Sequence, residues 1–403
     1  MSLSTDSVDE LTGRFGGDDE IELSVVMPCL NEADTLEICI RKAQQAMEAG
    51  GIDGEIIVAD NGSIDGSQQI AESLGARVVP VAAKGYGNAL MGGIAAARGR
   101  YVIMGDADDS YDFLELGKFV DGLREGHDLV QGCRLERGGG QVMPGAMPVL
   151  HRRIGNPLFS RLVRLWFNAP IHDVYCGLRG FTKAHYASLN QRCTGMEFAT
   201  EMIIKSSLYS ANIAEVPITL HPDGRKAHKP HLRTFRDGWR TLRFFLLYSP
   251  RWLFLIPGLT LMLLGLLGYA LALPQVTVSG ATFDAHTLLF ASLALLCGYQ
   301  AIAFAVFAKV FAISEGLMPP DRRLQRLGKT ITLEVGLIIG AVGLVIGLVL
   351  LVLAVNKWRV AEFGRLDYAS TMRLVVPGVT LTALGFQTLL SSFFVSVLAM
   401  RRK

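Results

Sequence analysis

The stretch YVIMGDADD at residues 101–109 decides the fold, because an apolar run leads directly into a group of carboxylates. The β-branched and aromatic residues of Tyr101–Met104 are typical of a buried strand, which Gly105 would end. Two carboxylates spaced i, i+2 where the chain turns can face one hard cation, and Mg²⁺ and Mn²⁺ prefer such oxygen ligands. Asp106 and Asp108 are therefore candidate metal ligands, although an acidic turn that caps the next helix has the same pattern.

Outward from this stretch, apolar runs alternate with helical patterns. The pattern predicts strands at residues 22–28, 55–59, 77–81, 101–104 and 128–132, and helices at 33–47, 65–74 and 88–97. This alternation indicates an α/β domain with a Rossmann-like, mostly parallel sheet, which we place at residues 21–231. Ligands of such sheets bind beyond the carboxyl ends of the strands, where the polar clusters of this chain lie.

The first twenty residues are polar and acidic, without the basic and apolar regions of a signal peptide, and are predicted to be a disordered tail. The six cysteines show no paired spacing, which favours a reduced, cytosolic domain.

Long apolar runs dominate the chain from Trp252 onward. Four of them reach the roughly 20 residues that cross a hydrocarbon core of about 30 Å. The sequence thus predicts a transmembrane domain at 251–403, with spans at about 252–273, 287–308, 335–355 and 374–400. Four buried helices of a soluble protein would be an unusual alternative.

The charges of the loops indicate an orientation. The loop at 272–286 has no Lys or Arg, whereas the loop between the second and third spans and the chain end are basic. Both termini and the α/β domain are therefore expected in the cytosol, at the plasma or inner membrane of a prokaryote. Basic residues between the third and fourth spans, including Arg373, run against this orientation.

Residues 232–250 combine a basic and an apolar stripe at helical spacing. Arginines recur every three or four positions, with Trp239 and other large apolar residues between them. This pattern predicts a helix that lies in the membrane interface. A helix packed on the soluble domain is the alternative.

Six ordered motifs of the soluble part resemble those of the family-2 glycosyltransferases of GT-A fold, and among them the polyprenyl-phosphate glycosyltransferases, such as dolichol-phosphate mannose synthase. They are PCLNE (28–32), DNGSIDGS (60–67), KGYGNA (84–89), DAD (106–108), GCR (132–134) and DVYCGLR (173–179). The resemblance covers about residues 23–229, and no motif is specific alone. It implies a GT-A domain followed by the helical transmembrane domain.

The resemblance also implies a site for a nucleotide-sugar donor. The residues that would bind the nucleotide are Pro28, Leu30, Asn31, Glu32, Asp60, Asn61, Lys84 and Asp106. Asp106 and Asp108 would be the catalytic pair that holds Mg²⁺ or Mn²⁺ on the diphosphate. Asn61 stands where the family usually has a second Asp, which leaves the base open between uracil and guanine. Ser110 replaces a Gln of several relatives, and Asp109 is a nearby carboxylate that would compensate.

A phosphate acceptor is already anionic and requires cations rather than a general base. The candidate cations are Arg134, Arg152, Arg153, Arg179, Arg225 and Lys229. Basic residues at 225–251, just before the first span, favour a lipid phosphate over nucleic acid. The Gly/Pro-rich segment 138–148 is expected to be a mobile loop over the substrate, or else a passive linker.

The predicted activity is the metal-dependent, inverting transfer of a hexose from a UDP- or GDP-sugar to a polyprenyl (undecaprenyl or dolichyl) phosphate at the cytosolic membrane face. The sequence leaves a homo-oligomer open. A processive polysaccharide synthase is the nearest alternative, but Tyr248 stands where its Q-x-x-R-W motif has Gln. A transporter is disfavoured because no ionisable residue lies in the middle of a span.

Two other motifs are weak. Gly85-x-Gly87 lacks the third glycine of a dinucleotide fingerprint and follows the third strand instead of the first. His221, His228 and His231 have no spacing typical of a zinc site.

Overall fold

The computed structural model describes residues 21–225, 234–330 and 332–400. It divides after Phe245 into two compact units. The predicted tail at 1–20 and the candidate Lys229 lie outside the described residues.

The first unit is an α/β domain. Its strands are β1 (Leu23–Cys29), β2 (Gly54–Asp60), β3 (Arg77–Pro80), β4 (Tyr101–Met104), β5 (Leu129–Cys133), β6 (Gln141–Val142), β7 (Arg179–Thr182), β8 (Ile213–Pro217) and β9 (Thr219–Leu220). Its helices are α1 (Leu36–Gly50), α2 (Ser67–Ser73), α3 (Tyr86–Ala96), α4 (Leu116–Arg124), α5 (Asn156–Phe167), α6 (Lys183–Leu189), α7 (Glu197–Leu208) and α8 (Thr234–Leu247).

Seven strands form one sheet in the order β3-β2-β1-β4-β7-β5-β8. All neighbours are parallel except β7, which pairs antiparallel with both β4 and β5. The predicted mostly parallel sheet is thus confirmed. The fifth predicted strand is correct within one residue, but β7 and β8 were not predicted. The four residues of β7 (RGFT) show neither an apolar run nor clear alternation.

Burial of the central strands explains the position of the sheet. Every residue of β4 is buried, as is nearly all of β1, in the way expected of strands covered on both faces. The register pairs Cys29 with Asp60 and Val26 with Met104, so that β1, β2 and β4 end at the same edge. The loops that follow these strands are therefore brought together.

The segment predicted as an interface helix forms α8. Phe245 is fully buried and packs edge-on against Phe159 and Phe167 of α5. Trp239, by contrast, is 61% exposed. The helix therefore packs on the α/β domain along one side, as the alternative supposed, and still presents an aromatic residue outward.

The second unit consists of α9 (Ile256–Ala272), α10 (Ala285–Ser314), α11 (Arg322–Thr330), α12 (Leu333–Val360) and α13 (Tyr368–Ala399), with a short hairpin of β10 (Thr277–Val278) and β11 (Ala281–Thr282). A π-helical turn, Arg251–Leu255, leads into α9. Within the part of the chain that the structure describes, four helices are long and apolar enough to cross a membrane, at Arg251–Ala272, Ala285–Ser314, Leu333–Val360 and Tyr368–Ala399. All four predicted spans lie within or overlap these helices.

Glycines bring α12 and α13 close together. A Cβ on Gly385 would collide with the backbone nitrogen of Leu344, and a Cβ on Gly340 would lie 3.0 Å from the carbonyl oxygen of Gly385. Small residues at such positions let the backbones of membrane helices approach, which increases van der Waals contact.

Side-chain hydrogen bonds also link helices of this unit. The Tyr269 hydroxyl lies 2.7 Å from the Ser292 hydroxyl and 3.1 Å from that of Thr380, linking α9, α10 and α13. Arg373, which ran against the predicted orientation, pairs with Asp284 at 2.9 Å. Its charge is thus partly neutralised within the unit.

Candidate active site

The site lies at the edge where β1, β2 and β4 end. Asp108 follows β4, and both donors of Ser110 support it: the backbone N–H and the hydroxyl donate to Oδ1 of Asp108 over 3.1 and 2.6 Å. Asp109 has a left-handed backbone (φ 59°), and its carboxylate pairs with Lys42 of α1 at 2.8 Å. Ser110 therefore orients Asp108 directly, and the idea that Asp109 compensates for Ser110 finds no support in this geometry.

Asp106 is deeper in the site. The hydroxyl of Tyr86 donates to its Oδ1 at 2.8 Å. Burial raises the pKa of Asp106 to about 6, and the neighbouring Asp108 carboxylate adds to this, while the hydrogen bond from Tyr86 opposes it. A cation at this place would restore the charged form, which is what a metal ligand requires.

Arg225 bridges three carboxylates of the site. Its guanidinium lies 3.2 Å from Oε1 of Glu32, 3.3 Å from Oδ2 of Asp108 and 2.9 Å from both carboxylate oxygens of Asp223. Burial raises the pKa of Glu32 to about 7, against the opposing effect of the Arg225 cation. The second oxygen of Glu32, Oε2, is buried and has no hydrogen-bond partner within the described part of the chain.

The donor set fits a hard divalent cation. Asp106 and Asp108 follow β4 two positions apart, and Arg225 joins the carboxylates of Glu32 and Asp108, so that their negative charge is already balanced in part. Within the described ranges, no three His, Cys, Asp or Glu side chains form a ready-made cage. A cation here would thus need further oxygens, as Mg²⁺ does when substrate phosphates complete its shell.

Asp60, the predicted nucleotide ligand at the end of β2, is 1% exposed. It accepts hydrogen bonds from the backbone N–H groups of Gly62 and Ser63 and from the amide of Gln68, the last at 2.6 Å. These bonds shape the turn after β2. They leave Asp60 little free capacity for a base or ribose.

The polar atoms of the Asn61 side chain are likewise used in hydrogen bonds within the protein. Its amide nitrogen donates to the carbonyls of Val81 (2.9 Å) and Ala83 (2.8 Å), and its amide oxygen accepts from the N–H of Gly85 (2.9 Å). Asn61 therefore joins the loop after β2 to the loop after β3. An Asp could not donate these bonds, so the amide of Asn61 is what makes this link possible.

The remaining nucleotide candidates line the same edge. Leu30 is half exposed, and Pro28 is partly buried. Asn31 has a φ of 60°, and its side-chain oxygen accepts from the N–H of Ile64. The ammonium of Lys84 donates to the carbonyl of Asn61 at 2.5 Å. The predicted motifs after β1, β2 and β3 are thus brought together.

Two of the arginines predicted to bind the acceptor phosphate are buried and form hydrogen bonds inside the domain. Arg134 is 8% exposed and forms two hydrogen bonds to Asp173, from Nε (2.7 Å) and Nη2 (2.9 Å). Arg179 is fully buried, and its guanidinium donates to the carbonyls of Ala199 and Cys176. Because neither side chain is accessible, both fit a structural role better than contact with a lipid phosphate.

Arg152 and Arg153 lie in the turn that precedes α5. Arg152 pairs with Glu136, and Arg153 is exposed. The segment 138–148 is not simply a mobile loop, because it contains β6, which pairs with β9.

Several site residues were missed by sequence reasoning. Tyr86 lies within the KGYGNA motif but has no role in the family pattern, and Glu32 and Asp223 were not expected to hold Arg225. A signal existed only for Glu32, which was predicted as a nucleotide ligand. The other contacts join positions distant in sequence.

The fold and the site together indicate a class of protein. Polar loops at the ends of parallel strands and an Asp-x-Asp pair after β4, in a chain that also has apolar helices long enough to cross a membrane, are the features expected of a membrane-bound glycosyltransferase. The chain belongs to glycosyltransferase family 2: residues 24–188 match the model "Glycosyl transferase family 2", and residues 306–399 match "Glycosyltransferase family 2 C-terminal transmembrane region".

The relatives agree with this assignment. The chain is 37% identical over 394 residues to the low-salt glycan biosynthesis hexosyltransferase Agl6 of Haloferax volcanii, covering 97% of this chain and 92% of that protein. It is 31% identical over 218 residues to a dolichyl-phosphate hexose transferase of the same organism, covering 54% of this chain and 89% of that protein.

Among solved structures, glucosyl-3-phosphoglycerate synthase from Mycobacterium tuberculosis, in complex with Mn²⁺, UDP and glucosyl-3-phosphoglycerate, matches with a TM-score of 0.43 and 23% identity. The match covers 62% of this chain and 84% of that one. The predicted family, fold class and enzyme class are confirmed by the family and its relatives, and the chain is an integral membrane glycosyltransferase.

Proposed function

We propose that this enzyme transfers a hexose from a UDP- or GDP-sugar to a polyprenyl phosphate, with inversion, in a reaction that depends on Mg²⁺ or Mn²⁺. The observation that supports the proposal is the position of Asp106 and Asp108 beyond β4, with the Arg225 guanidinium 3.3 Å from Oδ2 of Asp108. The two carboxylates would hold the cation, and the arginine beside them would meet a phosphate. The relative named as a dolichyl-phosphate hexose transferase supports a lipid-phosphate acceptor.

Each residue of the site has a part in this reaction. Asp108, supported by Ser110, and Asp106, held by Tyr86, would bind the cation on the donor diphosphate. The cation would neutralise the negative charge that develops on the departing nucleoside diphosphate. The loops after β1, β2 and β3 would enclose the nucleotide, with Pro28, Leu30 and Asn31 as its neighbours.

The acceptor requires little chemistry from the protein. A phosphate monoester is already ionised near neutral pH, so no side chain has to remove a proton. Arg225 is the strongest candidate to orient it, because its planar fork suits phosphate and its present partners are carboxylates of the same site. Arg152, Arg153 and Lys229 remain further candidates.

We further propose that the α/β domain faces the cytosol and that α8 lies at the membrane interface. Its exposed Trp239 suits that place, since tryptophan is enriched where one part of the ring is apolar and the other is wet. The active site would then work beside the headgroups that carry the acceptor phosphate.

The decisive experiment uses the full chain in lipid nanodiscs. It is supplied with polyprenyl phosphate, Mg²⁺ or Mn²⁺, and radiolabelled UDP-glucose or GDP-mannose, and the label is followed into chloroform. A chloroform-soluble, acid-labile product that disappears in Asp108→Asn but not in Asp121→Asn, an exposed position on α4, is the expected result. A long polymer would assign the chain to the polysaccharide synthases, and full activity of Asp108→Asn would contradict the metal site.

A further inference from the structure

The hydrogen bond between Tyr86 and Asp106 joins two motifs that are twenty positions apart. Tyr86 is the first residue of α3, and Asp106 follows β4. The Oη–Oδ1 distance of 2.8 Å is that of an ordinary O–H···O hydrogen bond. One carboxylate oxygen of Asp106 is thus fixed by a side chain from a different loop.

The other oxygen of Asp106 lies close to Gly177. A Cβ on Gly177 would lie 2.9 Å from Oδ2 of Asp106 and 3.1 Å from the hydroxyl of Tyr111. Any side chain at position 177 would therefore push against the carboxylate. Asp106 thus accepts a hydrogen bond from Tyr86 on one oxygen, and its other oxygen faces position 177, where a side chain would displace it.

Tyr86 is itself held by the backbone around it. A Cβ on Gly85 would lie 2.6 Å from the carbonyl oxygen of Thr194, and one on Gly87 would collide with that of Cys193. The N–H of Asn88 also donates to the carbonyl of Thr194 at 3.2 Å. The start of α3 therefore lies directly on the loop at 193–194.

A buried ion pair fixes that loop in turn. Oε2 of Glu201 accepts from the N–H groups of Arg192 (3.0 Å) and Cys193 (2.8 Å), and Oε1 of Glu201 pairs with Lys205 at 2.8 Å. Glu201 and Lys205 are both fully buried in α7. A continuous set of contacts thus runs from α7 through the loop and the start of α3 to Asp106.

We propose that Tyr86 is the positioning residue of the metal site: its hydroxyl sets the orientation in which Asp106 meets the divalent cation. This inference rests on the proposed metal-dependent function. Residues that orient a ligand without binding the metal affect affinity strongly, and their loss typically weakens binding about 10- to 100-fold. Without the hydroxyl, Asp106 would keep its place but lose its fixed rotamer.

The test compares Tyr86→Phe with Tyr186→Phe in the full chain. Tyr186 stacks on Phe181 in the same domain, so that its variant removes the same atom away from the site. Binding of Mn²⁺ is measured by electron paramagnetic resonance in the presence of UDP or GDP, and turnover is measured over a range of Mn²⁺ concentrations. Thermal midpoints of both variants verify folding.

We expect Tyr86→Phe to bind Mn²⁺ about tenfold more weakly, to need correspondingly more Mn²⁺ for half-maximal activity, and to recover its kcat at saturating Mn²⁺. Tyr186→Phe should match the unchanged protein. Equal Mn²⁺ affinity in Tyr86→Phe and the unchanged protein would overturn the inference alone. Failure of the unchanged protein to bind Mn²⁺ with either nucleotide would overturn the metal-dependent function and this inference together.

Discussion

The positive charge of Arg225 lies beside the negative charge of Asp108, a proposed metal ligand. The guanidinium lies 3.3 Å from Oδ2 of Asp108, an oxygen that the proposed cation would need. Two positive charges beside the same oxygen repel each other, so the arginine and the cation compete.

Replacing Arg225 by Ala should therefore separate metal binding from turnover. Mn²⁺ affinity should stay equal or rise by a few-fold, because a competing cation is removed, whereas turnover should fall by at least about tenfold, because the acceptor phosphate loses its partner. Mn²⁺ titration and product formation measure the two effects. Arg124→Ala, on the exposed surface, is the control, and a parallel loss of both quantities would contradict the assignment.

Asn61 allows a prediction about stability. In Asn61→Asp the carbonyls of Val81 and Ala83 lose their donors and face a carboxylate, so the free energy of unfolding should fall by about 2–4 kcal/mol. Thermal denaturation measures this effect. Asn168→Asp, at an exposed helix end, should change the midpoint little, and an equal midpoint for both variants would show that the amide is not needed.

Glu32 makes the stability of the folded domain depend on pH. Its pKa is raised from an ordinary 4.5 to about 7, so the folded protein binds more protons than the unfolded one in that interval. The contribution of Glu32 to stability must then fall as the pH rises from 4.5 to 7. Glu32→Gln should reduce the loss of thermal stability between pH 5 and pH 8, measured without metal. Glu48→Gln, on the exposed side of α1, should leave this loss unchanged.

At the scale of the elements, the sequence predicted those with a strong pattern. β4 agrees residue for residue, and β1, β2, β3 and β5 agree within one residue, because each is a short apolar run between turn residues. The antiparallel β7 was not predictable in this way, since it is short and its place between β4 and β5 depends on long-range pairing. The same limit applies to Arg179, whose burial follows from its position in β7.

The candidate site was predictable to a similar extent. The loops after β1 to β4 carry motifs, and the parallel register brings them together. What the sequence could not show is which polar side chains turn inward: Asp60, Asn61 and Arg134 satisfy backbone or buried partners. That choice depends on three-dimensional packing and not on residue type.

The contact between α12 and α13 predicts a difference between two glycines. Gly385→Ala should destabilise the transmembrane unit, since its methyl group would collide with the backbone of Leu344, whereas at Gly343 the added Cβ finds its nearest atom at 3.5 Å. The fraction of protein that stays monodisperse after heating in mild detergent measures the effect. Equal behaviour of Gly343→Ala and Gly385→Ala would show that the helices separate or shift easily.

For the whole molecule, the orientation in the membrane is open to a direct test. In a Cys297→Ser background, a cysteine at Ser279, in the loop without Lys or Arg, should react in intact cells with a membrane-impermeant maleimide. A cysteine at Gln325, in the basic helix α11, should react only after the cells are opened. The reverse pattern would place the catalytic domain outside the cytosol.

The engagement of Arg225 with Glu32 and Asp108 has a kinetic consequence for the complete enzyme. An arginine held by its own carboxylates is a poor partner for a lipid phosphate until a charged donor and its cation arrive at the site. The donor should then bind first and the lipid second, in a compulsory order. A lipid analogue would inhibit competitively against the lipid and uncompetitively against the nucleotide-sugar, and a polyprenyl phosphate that waits in the membrane would not block the site.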